Sequence, residues 1–249
     1  MIVAGNWKMN LNINEAIELS NGLLKHNKDF VEEKIIIFPS FLIIPEIYNL
    51  YKNSKISIGA QDCSMYDNGA FTGQVSAEMI KDAGCKYVII GHSERRSLCH
   101  ETSSIVSLKA VKAISAGLKV IICIGENSKD REKGDYLFVL EDQLKQSLSD
   151  ISSDSNLLSS NIIIAYEPVW AIGTGNTASK KDIEEVHKFI KETINTNYQF
   201  NYDLPILYGG SVNSKNSSEI FKINNVDGVL VGGASLKSDE FLKIIKNSM

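Results

Sequence analysis

The chain has 249 residues, 43% of them apolar, and a formal net charge of -4 with acids and bases interspersed. That length and composition suit one large α/β domain, and the charge pattern argues against a nucleic-acid groove or a basic membrane-binding face. No apolar stretch is long enough to cross a bilayer, and Met1-Ile2-Val3-Ala4-Gly5-Asn6 enters a strand without a basic leader or cleavage site, so a cytoplasmic protein is expected.

The first β-branched run is Ile2–Gly5, and Glu15–Lys25 follows with Ala16, Leu19, Leu23 and Leu24 on one helical face. Further runs come at Lys34–Phe38, Ile56–Ala60, Lys86–Ile90, Lys119–Ile124, Ile162–Tyr166, Pro205–Tyr208 and Gly228–Val231. Most are continuous apolar stretches, the mark of strands covered on both faces. Between them, Thr102–Ala116 carries Ile105, Val106, Leu108, Val111 and Ile114 on one face and ends at Gly117. Ser179, with an acid three residues on at Asp182, opens the helix of Val186, Phe189, Ile190 and Ile194. Strand then helix, eight times with right-handed crossovers, predicts a single (β/α)8 barrel domain over residues 1–249. An open doubly wound sheet is the alternative, and the count and even spacing favour the barrel. Cys63, Cys85, Cys99 and Cys123 show neither paired nor metal-ligand spacing and read as reduced, mostly buried thiols.

Two connections are long. Gln61–Val75 carries Met65, Tyr66 and Phe71 among turn residues, so its tip is either packed on its own barrel or buried in a partner. The other follows Glu167, where Pro168 stiffens the exit and Gly173 and Gly175 permit turns, as in a loop that moves between hinges.

Barrel chemistry is built at the C-terminal ends of strands. Those positions hold Asn6-Trp7-Lys8, Gly91-His92-Ser93-Glu94-Arg95-Arg96, Gly125-Glu126, Glu167, Gly209-Gly210-Ser211 and Gly232-Gly233. The two glycine pairs expose backbone N–H groups, the helix termini after them add positive dipole ends and Ser211 adds a hydroxyl, so a phosphate dianion is the natural guest. Lys8 would stabilise developing negative charge. His92, before a short helix, would stay neutral and donate a hydrogen bond to a carbonyl. Burial of Glu167 beside a lid would raise its pKa toward that of a general base. Glu94 could brace Lys8 or belong to an interface. A base, a neutral donor, a cation and a phosphate cradle suit proton transfer at carbon next to a carbonyl, and no metal or cofactor motif is present.

Asn6-Trp7-Lys8-Met9-Asn10, Gly91–Arg96, Ala165–Gly175, Tyr208–Val212 and Leu230–Ala234 resemble, in order and over essentially the whole chain, the motifs of the triosephosphate isomerase family. A glutamate base, a neutral histidine and a closing loop are general properties of that family. The resemblance implies a cofactor-independent isomerase of glycolysis and gluconeogenesis that interconverts dihydroxyacetone phosphate and D-glyceraldehyde 3-phosphate through an enediolate. Glu167 would move the carbon-bound proton, His92 would polarise the carbonyl, and Lys8 with Asn6 would hold negative charge. Backbone N–H groups of Gly173, Ser211, Gly232 and Gly233 would hold phosphate under a lid from Pro168 to about Ala178. It also implies a homodimer through the loop at residues 63–75. Departures lie away from the chemistry: Gln74 stands where the family often has a glutamate facing the arginine matching Arg95, Cys99-His100 replaces Phe-Gly, and Lys191 replaces an arginine that pairs with the acid matching Asp227. An aldolase or lyase would need a Schiff-base lysine, for which Lys8 is the candidate; a non-catalytic binding protein would be expected to have lost one of Asn6, Lys8, His92 or Glu167.

Overall fold

The computed structural model describes residues 1–30, 34–151, 160–172, 177–198, 200 and 202–249. Eight parallel strands close in sequence order into a barrel: β1 (Ile2–Asn6), β2 (Lys34–Phe38), β3 (Ile56–Ala60), β4 (Tyr87–Ile90), β5 (Lys119–Ile124), β6 (Ile162–Tyr166), β7 (Ile206–Tyr208) and β8 (Gly228–Val231). Closure is made by β1 against β8, with Ile2 opposite Gly228 and Gly5 opposite Val231. The closed ring excludes the open doubly wound alternative.

The continuous apolar strands divide into two sets by the two-residue period of the pleat. Ile2, Ala4, Ile36, Phe38, Tyr87, Ile89, Ile121, Cys123, Ile163, Ala165, Leu207 and Leu230 fill the barrel interior. Their neighbours, among them Val3, Ile35, Ile37, Val88, Val120, Ile122, Ile164 and Val229, face the helices. Both sets are buried, so successive strand residues are apolar, apart from Ser57 within β3 and strand-end residues such as Asn6, Lys34 and Lys119.

The α-helices among the described residues are α1 (Ile13–Leu24), α2 (Ile44–Tyr51), α3 (Ala77–Asp82), α4 (Ser93–Leu98), α5 (Ser103–Ser115), α6 (Ser128–Lys133), α7 (Tyr136–Ser147), α8 (Lys180–Asn197), α9 (Ser217–Ile220) and α10 (Ser238–Asn247). Their starts are written in the sequence. Asn12 with Glu15, and Ser179 with Asp182, form capping boxes for α1 and α8, and Thr102 caps α5. No helix among the described residues is long and apolar enough to cross a membrane.

Candidate active site

Every described candidate faces one cavity of about 280 Å³ at the C-terminal mouth of the barrel, lined by Asn6, Lys8, His92, Glu167, Ser211, Gly232 and Gly233 together with Ile172, Asn213 and Leu230. Gly173, and with it the middle of the expected lid, lies outside the described residues.

Glu167 is the first residue past β6, and its N–H still donates to Ile124 O at 2.8 Å, so its backbone is an extension of the sheet. Its side chain is buried at 2% exposure. Oε1 lies 3.0 Å from His92 Nε2, and Oε2 accepts the Ser93 N–H at 2.8 Å. Two glycines make the slot. A Cβ at Gly125 would stand 1.8 Å from Glu167 O, and one at Gly209 would stand 2.9 Å from Glu167 Cγ. The space for the carboxylate therefore comes from β5 and β7, on either side of β6.

His92 follows β4 and caps α4: its Nδ1 accepts the Glu94 N–H at 3.2 Å. That bond needs the Nδ1 lone pair and so assigns the ring proton to Nε2, pointing at Glu167. Lys8 has φ 52°, a left-handed conformation that costs a side-chain-bearing residue about 1–2 kcal/mol. Three contacts hold it there. Its N–H donates to Asn6 Oδ1 at 3.0 Å, its carbonyl accepts from Gln61 Nε2 at 2.8 Å, and its ammonium pairs with Glu94. Glu94 thus braces Lys8 within the chain, the choice sequence left open. Gln61, which also donates to Phe38 O at 2.9 Å, was missed by sequence reasoning because an amide in a long loop carries no signal of its target.

The titration of the pair differs from expectation. Burial raises the Glu167 pKa and is the largest single influence. The charge and hydrogen bond of His92, the Ser93 N–H and Lys8 together outweigh it, and the carboxyl is held below its ordinary value. The upward shift predicted from burial alone is overturned because burial brings these donors with it. For His92, burial disfavours the cation, but Glu167 at 3.0 Å more than reverses that and raises the pKa, opposite to the expectation from the helix terminus alone.

Among the described residues, none accepts the backbone N–H of Ser211, Gly232 or Gly233, the three groups expected to hold a phosphate. Two details change. The Ser211 hydroxyl donates to Ala171 O at 2.8 Å and ties down the turn after Glu167, so it is not the free donor expected. The helix after β7 begins only at Ser217, so the dipole expected directly behind Gly210 is displaced, while a one-turn 3-10 helix, Gly233–Leu236, directly follows Gly232.

Glu126, at the end of β5, is fully buried, and burial raises its pKa. Its Oε1 accepts from Trp170 Nε1 at 2.7 Å and Tyr166 OH at 3.0 Å, and its carbonyl accepts the Val169 N–H at 3.1 Å. It anchors the start of the segment after Glu167. The signal available in sequence was its position at a strand end. Among the described residues no group of three or more His, Cys, Asp or Glu is arranged to hold a metal.

Known proteins match the chain over nearly its whole length. The family model described as triosephosphate isomerase matches residues 1–248. The chain is 46% identical over 247 residues to the triosephosphate isomerase of Lawsonia intracellularis, covering 98% of this chain and 97% of that protein. It is 44% identical over 246 residues to that of Flavobacterium psychrophilum, covering 98% and 97%. The crystal structure of triosephosphate isomerase from Bartonella henselae superposes with a TM-score of 0.88 at 37% identity, over 99% of this chain and 98% of that one.

Proposed function

The chain belongs to the triosephosphate isomerase family and is an isomerase that interconverts dihydroxyacetone phosphate and D-glyceraldehyde 3-phosphate, a step of glycolysis; we propose that Glu167 moves the proton between the two carbons. The observation that carries this assignment is the juxtaposition, on one cavity wall, of a buried carboxylate and an imidazole 3.0 Å apart, with Lys8 and the Gly232-Gly233 turn completing the ring.

In this reading the phosphate sits against the N–H groups of Ser211, Gly232 and Gly233, which presents the carbonyl to His92 Nε2–H and Lys8. Glu167 takes the proton from the carbon next to the carbonyl, and negative charge develops on oxygen facing His92 and Lys8. Seating a carbonyl at His92 replaces Glu167 as its hydrogen-bond partner. The largest of the interactions that hold the Glu167 pKa down is then lost while its burial persists, so the base strengthens as its substrate arrives. His92 loses the neighbouring anion at the same moment and keeps the Glu94 N–H on Nδ1, which favours the neutral donor. Lys8 as a Schiff-base nucleophile fits less well, because its ammonium is engaged by Glu94.

Glu167→Gln tests the assignment in a coupled assay of glyceraldehyde 3-phosphate formation. Turnover falls at least ~10²-fold, the scale of a lost general base, while inorganic phosphate still binds. Turnover equal to the parent refutes the role.

The homodimer through residues 63–75 belongs to the same reading, as does a cytoplasmic location. The rings of Tyr66 and Phe71 stack at 4.1 Å on the part-exposed loop tip, and Met9, Leu42 and Leu98 are exposed at 95%, 91% and 76%. A cavity of about 360 Å³ at the base of that loop, bounded by Phe41, Met65, Gln74, Arg95 and Ile105, is available to a second copy. The Gln74 departure costs Arg95 nothing within the chain. Arg95 pairs with Asp62 at 2.9 Å and with Glu101, and Gln74 Oε1 accepts from Ser64 at 2.6 Å. Solution mass at micromolar concentration gives twice the chain mass; a monomer refutes the dimer.

A further inference from the structure

His92 stands at the outgoing end of β4 and Glu167 at that of β6, and β5, which lies between them, contributes neither. The His92–Glu167 separation is therefore set by how β5 spaces its neighbours at the mouth, where regular pairing stops. The β4–β5 ladder ends at Ile90 opposite Ile122, whereas β6 stays paired with β5 as far as Tyr166 opposite Ile124. Beyond Ile122 the side of β5 that faced β4 has lost its strand partner, because β4 turns away at Gly91 toward His92.

Two side chains from helices take over. Arg96 on α4 donates through Nε to Gly91 O at 2.8 Å and through Nη2 to Cys123 O at 3.0 Å, joining the last carbonyl of β4's exit to β5. Its remaining donors reach Ser103 Oγ at 2.8 Å and Ser147 Oγ at 3.2 Å, so the guanidinium is held by carbonyls and hydroxyls and not by a carboxylate among the described residues. Gln143 on α7 does the same one step further on. Its Oε1 accepts the Gly125 N–H at 2.9 Å and its Nε2 donates to Gly125 O at 3.0 Å, as a neighbouring strand would. Gly125 is the residue pressed against the Glu167 backbone. Behind them a cavity of about 220 Å³ touches Arg96, Gly125, Gln143 and Glu167, so the strand end has room to move once unbraced.

We propose that Arg96 and Gln143 are positioning residues for the isomerisation, fixing the outgoing end of β5 as the spacer between His92 and Glu167. The inference rests on the reading of Glu167 and His92 as the reacting pair. Neither side chain lines the substrate cavity, so their loss acts on the geometry of the proton transfer and spares the phosphate cradle.

The experiment measures kcat, KM and inhibition constants for Arg96→Lys and Gln143→Met. The first keeps the charge but cannot span both carbonyls; the second keeps volume and removes both hydrogen bonds. Expected is a kcat lower by about 10-fold or more in each, the scale of a sub-ångström misplacement, with inorganic phosphate inhibiting within about twofold of the parent. Binding of 2-phosphoglycolate, whose carboxylate must meet His92 and Glu167, weakens in step with kcat. If Arg96→Lys does not fold, Gln143→Met and Ser103→Ala, which removes one guanidinium partner, decide the matter. Folded variants with parental kcat and parental 2-phosphoglycolate binding overturn the inference, even where the thermal midpoint drops. Parental turnover in Glu167→Gln instead removes the underlying assignment, so the two failures are distinguishable.

Discussion

Gly209→Ala isolates the placement of the base from its chemistry. The added methyl would stand 2.9 Å from Glu167 Cγ and 3.2 Å from Tyr166 O. Carbon–carbon contacts settle at about 3.5–4.0 Å, so the Glu167 side chain or the Gly209 turn must give by about 0.6–1.1 Å. The far atom is the flexible one, and the carboxylate is expected to move. Overpacking of this kind costs about 1–3 kcal/mol of stability, leaving a folded protein. A displacement near 1 Å at the reacting centre lowers turnover by up to about 10²-fold. The coupled assay should show kcat down between about 10- and 100-fold with phosphate inhibition retained, because the carboxylate moves in place of the turn that carries Ser211, and the Gly232-Gly233 turn follows the neighbouring strand. A folded Gly209→Ala protein with kcat within about twofold of the parent refutes the argument that this glycine makes the slot for the base.

Two further predictions concern stability. His187 is fully buried, its Nδ1 is 2.9 Å from Asn225 O, and burial lowers its pKa from 6.5 to about 4, with Lys191 adding to the effect. The unfolded chain therefore binds more protons than the folded one between those values. The stability due to the neutral ring is whole above pH 6.5 and is lost as pH falls to about 4, by about 3 kcal/mol. Urea midpoints across that window should fall more steeply for the parent than for His187→Gln, and identical slopes would remove His187 as the cause. Lys109 is buried and pairs with Asp62 at 2.7 Å and with Glu101. Lys109→Met leaves buried Glu101 and half-buried Asp62 beside Arg95 alone, and denaturant titration should record a loss of about 3–5 kcal/mol; a loss under about 1 kcal/mol refutes the pairing as a stabilising element.

The eight strands were legible because the closed barrel requires apolar residues on both faces of each strand, and that demand leaves long β-branched runs such as Ile162–Tyr166 in the sequence. Helix starts were legible for the same local reason: the Ser179–Asp182 box satisfies N–H groups three residues away. Strand-end chemistry followed from these, since Glu167, His92 and Lys8 each come within two residues of a strand's end. The departure at Lys191 was visible, but its outcome was not: it pairs with Asp203 at 2.6 Å while Asp227 accepts from Ile206 N at 2.8 Å.

What sequence determined is thus whatever depends on neighbours a few residues apart: the strands, the caps, and which functional groups stand at the mouth. Tertiary structure alone decided the relations between groups far apart in the chain. Glu94 reaches Lys8 across 86 residues, and Gln143 reaches Gly125 from a helix. The sign of the Glu167 shift belongs to this second class. Burial by itself raises a carboxyl pKa, and only the fold brings His92, Ser93 and Lys8 close enough to reverse it. Electrostatic energies depend on distances through space, and a linear sequence of residue types does not contain those distances.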